Sequence, residues 1–168
     1  MNTKAKKILV AEARKFKAKM FPDIPAHRAC LYLSYSIIHV LREHRIAALM
    51  LAGTAYWPRL TEATDDGVSP NVFGYQWTEG TPAKDVIGKA MPEIHVWAGI
   101  PATAEIIDLT TGYWPRVCWE NLGADWRAPK PPPFWWGSVR DLPKLARYKA
   151  YKDAGEVAFQ MLKDSVGQ

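Results

Sequence analysis

Residues 29–43 constrain the fold more than any other stretch. Between Arg28 and Arg42 the chain carries no Asp, Glu, Lys or Arg, and Cys30, Leu33, Ile37 and Leu41 recur on one helical face with Ser34 among them. The spacing predicts a helix from about Ala29 to Glu43. A helix with so little charge must be central and well buried, so the rest of the chain has to cover it. Arg42, Glu43, His44 and Arg45 close it, and basic groups suit the negative end of the helix dipole.

The covering material changes period. Ile46 to Trp57 is apolar, interrupted by Gly53, and reads as a buried strand. Arg59 to Pro70 is polar and acidic, with the breaker Asp66-Gly67, and reads as a loop. In Asn71 to Thr78 the aromatics Phe73, Tyr75 and Trp77 alternate with Gly74 and Gln76, the mark of a strand. Glu79 to Pro92 holds Gly80, Pro82, Gly88 and Pro92 and reads as a mobile connection or short helix. Ile94–Ile100 and Ala104–Leu109 read as two strands joined by a tight turn at Pro101, Ala102 and Thr103. Asp125 to Gly137 carries four prolines beside Phe134, Trp135 and Trp136, and the expectation is an irregular loop anchored by its aromatics, with Trp135-Trp136 at a surface contact or pocket rim. From Pro143 the chain is expected to be helical, with Leu145, Tyr148, Tyr151 or Lys152, and Val157 facing inward. Trp57, Trp97, Trp114 and Trp119 are expected in the core. No repeat is visible at a solenoid period.

These elements sum to a single α+β domain: a Cys-bearing helix on a small, mainly antiparallel sheet, flanked by terminal helices. Its parts are a basic amphipathic N-terminal helix (1–24), a core (26–115), and a Pro/Trp-rich loop with a C-terminal helix (125–168). The 168 residues are 48% hydrophobic and 23% charged, which argues against wholesale disorder. The longest uncharged runs, Ala29–Leu41 and Ile46–Pro58, have 13 residues each, where a membrane span takes about 20. No signal-peptide pattern is seen, and two cysteines make no disulfide scaffold, so the expectation is a reducing, cytoplasmic setting.

The net charge of +5 is concentrated at one end. Residues 1–21 hold seven of the 22 Lys/Arg and one of the 17 Asp/Glu, a net of +6, leaving the body at −1. A nucleic-acid groove across the body is therefore poorly supported; only the first helix could make such a contact. Its apolar positions Leu9, Ala13, Phe16 and Met20 suggest instead a helix that docks this stripe on the body, keeps its lysines in water, and ends at Pro22 and Pro25.

Three residues carry the chemical interest: Cys30 at a helix start, His95 in one strand and Asp108 in the next. A thiol becomes a strong nucleophile when ionised, and helix N-termini and neighbouring imidazolium groups stabilise thiolates. His95 and Trp97 should share a face of their strand. A tight hairpin can set Asp108 beside His95, where a carboxylate holds the imidazole tautomer. The side-chain amide of Gln76 is an oxyanion-donor candidate beside the Cys30 N–H, against an ordinary polar strand face. His27 offers a rival base, an oxyanion contact or a plain polar loop residue. His39 and His44 read as structural or solvated, and Cys118 as a buried thiol. A Cys30–Cys118 disulfide, or zinc held by Cys30, His95 and Asp108 with Cys118 or His27, uses the same residues, but no close-spaced ligand pair favours metal.

The stretches Ala29-Cys30-Leu31-Tyr32-Leu33-Ser34, Arg45-Ile46-Ala47-Ala48, Ile94-His95-Val96-Trp97-Ala98 and Ile106-Ile107-Asp108-Leu109-Thr110 resemble, in order and type, the transglutaminase-like branch of the papain-like cysteine superfamily. The likeness covers about residues 26–115. It departs from the family pattern at Arg28-Ala29 ahead of the cysteine and at Leu109 after the aspartate. The resemblance implies a papain-like core and a triad of Cys30, His95 and Asp108; Gln76 and Trp97 are the candidate oxyanion or pocket residues beside it. The resemblance further implies thiol-dependent acyl chemistry on an amide or ester of a protein or peptide, with no cofactor. A non-catalytic member of the same fold, serving as a protein-binding module, is the competing expectation.

Overall fold

The N-terminal helix forms as its spacing predicts. The computed structural model describes residues 1–61, 71–75, 94–151 and 153–166, and in it helix α1 runs Thr3–Met20. The Asn2 side chain caps it, accepting from the Ala5 N–H at 2.9 Å. The buried stripe is Leu9, Val10, Ala13 and Lys17. Met20, expected in that stripe, is exposed. Lys17, expected in water, is buried and donates to the Ile24 carbonyl. The chain turns back after Phe21, and a lysine on a flexible apolar stem can reach the carbonyl this exposes. Lys6 also leaves solvent, to pair with Glu105 at 2.6 Å.

A short 3₁₀ turn, Ala26–Arg28, leads into helix α2, Cys30–Glu43. It is buried along most of its length, with Ile37, Ile38 and Leu41 fully enclosed, as its lack of charge requires. It packs between α1 and the sheet, and the Ser34 hydroxyl donates to the Val96 carbonyl at 3.1 Å.

Among the described residues the sheet has six strands, all antiparallel: β1 (Leu49–Pro58), β2 (Val72–Tyr75), β3 (His95–Ile100), β4 (Glu105–Asp108), β5 (Trp135–Ser138) and β6 (Arg147–Ala150). Strand β1 organises the others. Gly53 pairs with both His95 and Ala150, and Ala55 with both Tyr75 and Tyr148. So β6 lies along one edge of β1, while β3 and β2 follow one another along the other. Gly53 is required where it stands, since a Cβ there would sit 2.2 Å from the Lys149 carbonyl oxygen.

The two faces of the sheet differ. Met50, Ala52, Val96, Ala98, Ile100 and Ile107 join α1, α2 and the C-terminal helix in one apolar cluster. Ala55, Trp57, Phe73 and Trp114 head a second, aromatic cluster on the other face. Each buried Leu, Ile or aromatic side chain in such a cluster contributes about 1.5–3 kcal/mol relative to exposure. The mixed α/β architecture and the antiparallel sheet agree with the sequence reading.

Several expectations for the last third are corrected. Trp135–Ser138, expected in part within an irregular loop, forms β5 against β4. The prolines end at Pro133, so every backbone N–H the pairing needs is present. The segment after Pro143 is not continuously helical: it forms β6 first, and the last helix, Ala154–Val166, starts later. Two residues with positive φ, Leu145 at 79° and Asp153 at 62°, break the chain on either side of β6. Leu145, expected inward, is 47% exposed; Lys152 lies outside the described residues. Helix α3, Trp114–Leu122, is entered with Pro115 near its first position and left through Gly123 in the left-handed conformation. The C-terminal helix is α4. Trp119, expected in the core, is 60% exposed on α3, whereas Trp57, Trp97 and Trp114 are buried. No described helix is long and apolar enough to cross a membrane.

Candidate active site

Strand register alone sends a set of polar and aromatic side chains to one face. Paired residues share a face and alternate residues return to it. From Gly53↔His95, Ala55↔Tyr75 and Ala55↔Tyr148, the side chains of His95, Tyr75 and Tyr148 emerge together. Two steps along, Trp97 and Trp57 join them. Because Ala98 pairs with Ile107, Asp108 lies across from Trp97 on that same face, diagonal to His95.

The His95 ring nitrogen Nε2 lies 2.7 Å from Asp108 Oδ2, and both side chains are 1% exposed. A carboxylate so deeply buried needs several donors. Asp108 has four. Oδ2 accepts from His95 and from the Tyr148 hydroxyl, each at 2.7 Å. Oδ1 accepts from the Thr110 N–H at 2.8 Å and the Thr110 hydroxyl at 2.6 Å. Burial works to raise the Asp108 carboxyl, but the His95 charge and these donors override it and hold it below the ordinary carboxylate range. For His95, burial works downward; the charge and hydrogen bond of Asp108, with further help from Cys30, raise its pKa to about 10. Both shifts favour the charged forms, imidazolium and carboxylate.

Two tyrosines enclose this couple. Tyr148 accepts from the Trp57 indole N–H at 3.0 Å while donating to Asp108, so a relay runs from indole to phenol to carboxylate to imidazole. Burial, then the Asp108 charge, holds its phenol well above its ordinary range, and it remains a donor. Tyr75 stacks on His95 with ring centroids 5.0 Å apart and planes at 16°. Burial, then the charges of Cys30 and Asp108, raises its phenol too. Trp97 stacks on the other side of the imidazole at 5.9 Å and meets Tyr148 edge-on at 5.1 Å. Tyr148 escaped the sequence reading because a helix was expected there. The alternation of Tyr148 with Arg147 and Lys149 was the signal for a strand.

Cys30 is the first residue of α2, where Ala29 supplies no side-chain cap to the first-turn N–H groups. It is half-buried and close enough to His95 to help raise the imidazole pKa through charge and side-chain hydrogen bonding. The other ring nitrogen, Nδ1, is buried and makes no close, well-aligned hydrogen bond among the described residues. Such bonds are often long or misaligned before substrate binds. Cys30 opens into a pocket of about 370 Å³ walled by Tyr75, Tyr113, Trp114 and Val117. Ser34, one turn further along α2, bonds the strand residue next to His95, which fixes the helix and the strand relative to each other at this point. The structure thus gathers Cys30, His95, Asp108 and Trp97. Gln76 lies outside the described residues.

Comparison with known protein families, with curated proteins and with solved structures found no match.

The remaining candidates lie apart from the His95–Asp108 couple. His27 faces the pocket but pairs with Glu120 at 3.3 Å. His39 pairs with Glu43 at 3.2 Å and stacks on Phe16, and His44 pairs with Glu12 at 3.1 Å. Cys30 and Cys118 are thiols and not a disulfide; Cys118 is buried on α3 and donates to the Ala124 carbonyl at 3.5 Å. Among the described residues no three His, Cys, Asp or Glu side chains gather as a metal-ligand set.

Proposed function

We propose that this chain is a cysteine-dependent hydrolase or acyltransferase that acts on an amide or ester of a peptide, with a papain-like core of the transglutaminase-like kind. The observation that carries this reading is the buried His95–Asp108 couple at 2.7 Å, with Cys30 near enough to act on the same imidazole. The order of elements supports the family: a helix beginning at the cysteine, a long strand, a short strand β2, a strand opening with the histidine, and a strand closing with the aspartate. A thiol chemistry of this kind suits a reducing, cytoplasmic setting.

In the reaction, the Cys30 sulfur bonds to the substrate carbonyl carbon and the carbonyl π pair moves to oxygen. Collapse expels the amine or alcohol, which leaves with the proton that His95 gives up from Nδ1, and a thioester remains on Cys30. Water or an amine then attacks the thioester, His95 takes the proton, and the thiolate departs. Asp108 keeps the imidazole oriented and stabilises its charge throughout. The N–H groups at the start of α2, which no side chain caps, are the donors this reading assigns to the developing oxyanion.

The test is the alkylation rate of Cys30 by iodoacetamide at pH 7, read by mass spectrometry. Cys30 should react at least about tenfold faster than a small free thiol, and His95→Gln should bring it down to the free-thiol rate. Equal rates in wild type and variant would overturn the reading and favour a binding module on the same scaffold.

A further inference from the structure

The pocket beside Cys30 has two unlike sides. Aromatic rings form one. On the other, the 3₁₀ turn ahead of α2 brings His27 and Arg28 to the opening. No acidic side chain lines the pocket among the described residues.

Glu120 on α3, the carboxylate beside this turn, faces three bases at once. It bonds Arg116 at 2.7 Å, His27 at 3.3 Å and Arg28 at 3.9 Å. One carboxylate cannot neutralise two guanidiniums, and its short bond goes to Arg116, which is not a pocket residue. Arg28 has the loosest hold of the three, and its side chain is 69% exposed. A guanidinium with excess charge thus stands two residues from Cys30, at a pocket with no acidic side chain in its lining among the described residues. Close to Cys30 lies the buried His95 ring, on which Cys30 acts through charge and side-chain hydrogen bonding. A guanidinium fork matches a carboxylate in shape and charge, whereas a neutral amide gains much less from it.

We infer that the pocket selects acidic peptides as acyl donors, with Arg28 binding a substrate carboxylate beside the scissile carbonyl. Arg28 is then a specificity-determining residue, and the aromatic side receives the apolar portion of the same segment. A volume of about 370 Å³ suits a short stretch of side chain and backbone. This inference rests on the reading of Cys30 as the nucleophile.

Two alkylating probes isolate the charge effect. Iodoacetate and iodoacetamide are nearly equal in size, and with either the sulfur–carbon bond forms as iodide leaves. They differ by one negative charge. The ratio of their rates at Cys30 cancels changes in the intrinsic reactivity of the sulfur. Arg28→Gln should lower the iodoacetate-to-iodoacetamide ratio about fivefold, and Arg28→Glu should lower it further. Glu120→Gln, which releases Arg28, should raise it. Raising the salt to about 1 M should erode the wild-type preference. A fast Cys30 whose ratio ignores both Arg28 and Glu120 overturns the inference and leaves the nucleophile reading intact. A Cys30 that reacts at the free-thiol rate, with a ratio that still follows Arg28, overturns the nucleophile reading and leaves an anion-selecting pocket.

Discussion

Tyr148→Phe tests the relay behind the histidine most directly, because it removes one oxygen and little volume. Two hydrogen bonds are lost. The first, from the phenol to Asp108 Oδ2 at 2.7 Å, has a charged acceptor, and such bonds contribute about 1.5–3 kcal/mol net. The lower end applies here, since Asp108 keeps three other donors. The second, from the Trp57 indole at 3.0 Å, leaves a buried N–H with no acceptor, which costs about 1–3 kcal/mol. The variant should therefore be less stable than wild type by about 3 kcal/mol at pH 7, on the scale of those two terms. Equilibrium urea unfolding followed by far-ultraviolet circular dichroism measures this without relying on tryptophan signals. Trp57→Phe completes a double-mutant cycle, and the double variant should lose about 1–2 kcal/mol less than the sum of the singles, since the stranded indole is then absent. A single-variant loss below about 0.5 kcal/mol, or strict additivity in the cycle, would refute the relay as a source of stability.

The His95–Asp108 couple also predicts a pH signature. His95 is raised to about 10 in the folded protein, above its unfolded value of about 6.5. Its contribution to stability is complete below about pH 6.5 and is lost as pH rises through about 10. Asp108 is lowered, so its contribution holds above about pH 3.9 and is lost as pH falls through its folded value. Urea midpoints between pH 6.5 and 10 should decline in wild type and stay nearly flat in Asp108→Asn; parallel curves would contradict the assignment. Gly53→Ala should destabilise by at least about 2 kcal/mol, because its Cβ would meet the Lys149 carbonyl oxygen at 2.2 Å and push β6 off β1. A melting temperature within a degree of wild type would refute that steric argument.

The legible parts of the fold were those where one period dominates. Uncharged residues around the whole of α2 announced a buried helix, and the apolar runs on either side of Pro101-Ala102-Thr103 announced the β3–β4 hairpin. The meeting of His95 with Asp108 was legible for the same reason, since a short hairpin leaves few registers. What the sequence hid depends on distant pairing. Tyr148 reaches Asp108 across 40 positions, through a strand of four residues that exists because β1 offers it an edge. Tyr75 was visible as a strand aromatic, but its place on the His95 ring follows from β2 and β3 sharing one edge of β1. Trp119 was misplaced because nearness to an expected element was taken to mean burial; no helix was expected at 114–122, and on that helix Trp119 faces outward.

The sixth strand arrives late in the chain, and this has a consequence for maturation. Residues 30, 95 and 108 are all synthesised before β6, yet the phenol that completes the aspartate's shell sits at position 148. A nascent or truncated polypeptide would hold its thiol, ring and carboxylate around a charge one donor short, open along the edge of β1 that β6 later covers. Zipping of the final strand thus seals the charged pair away from water. On the proposed reading, full poise of the sulfur then awaits β6, and no fragment ending before it should possess that poise.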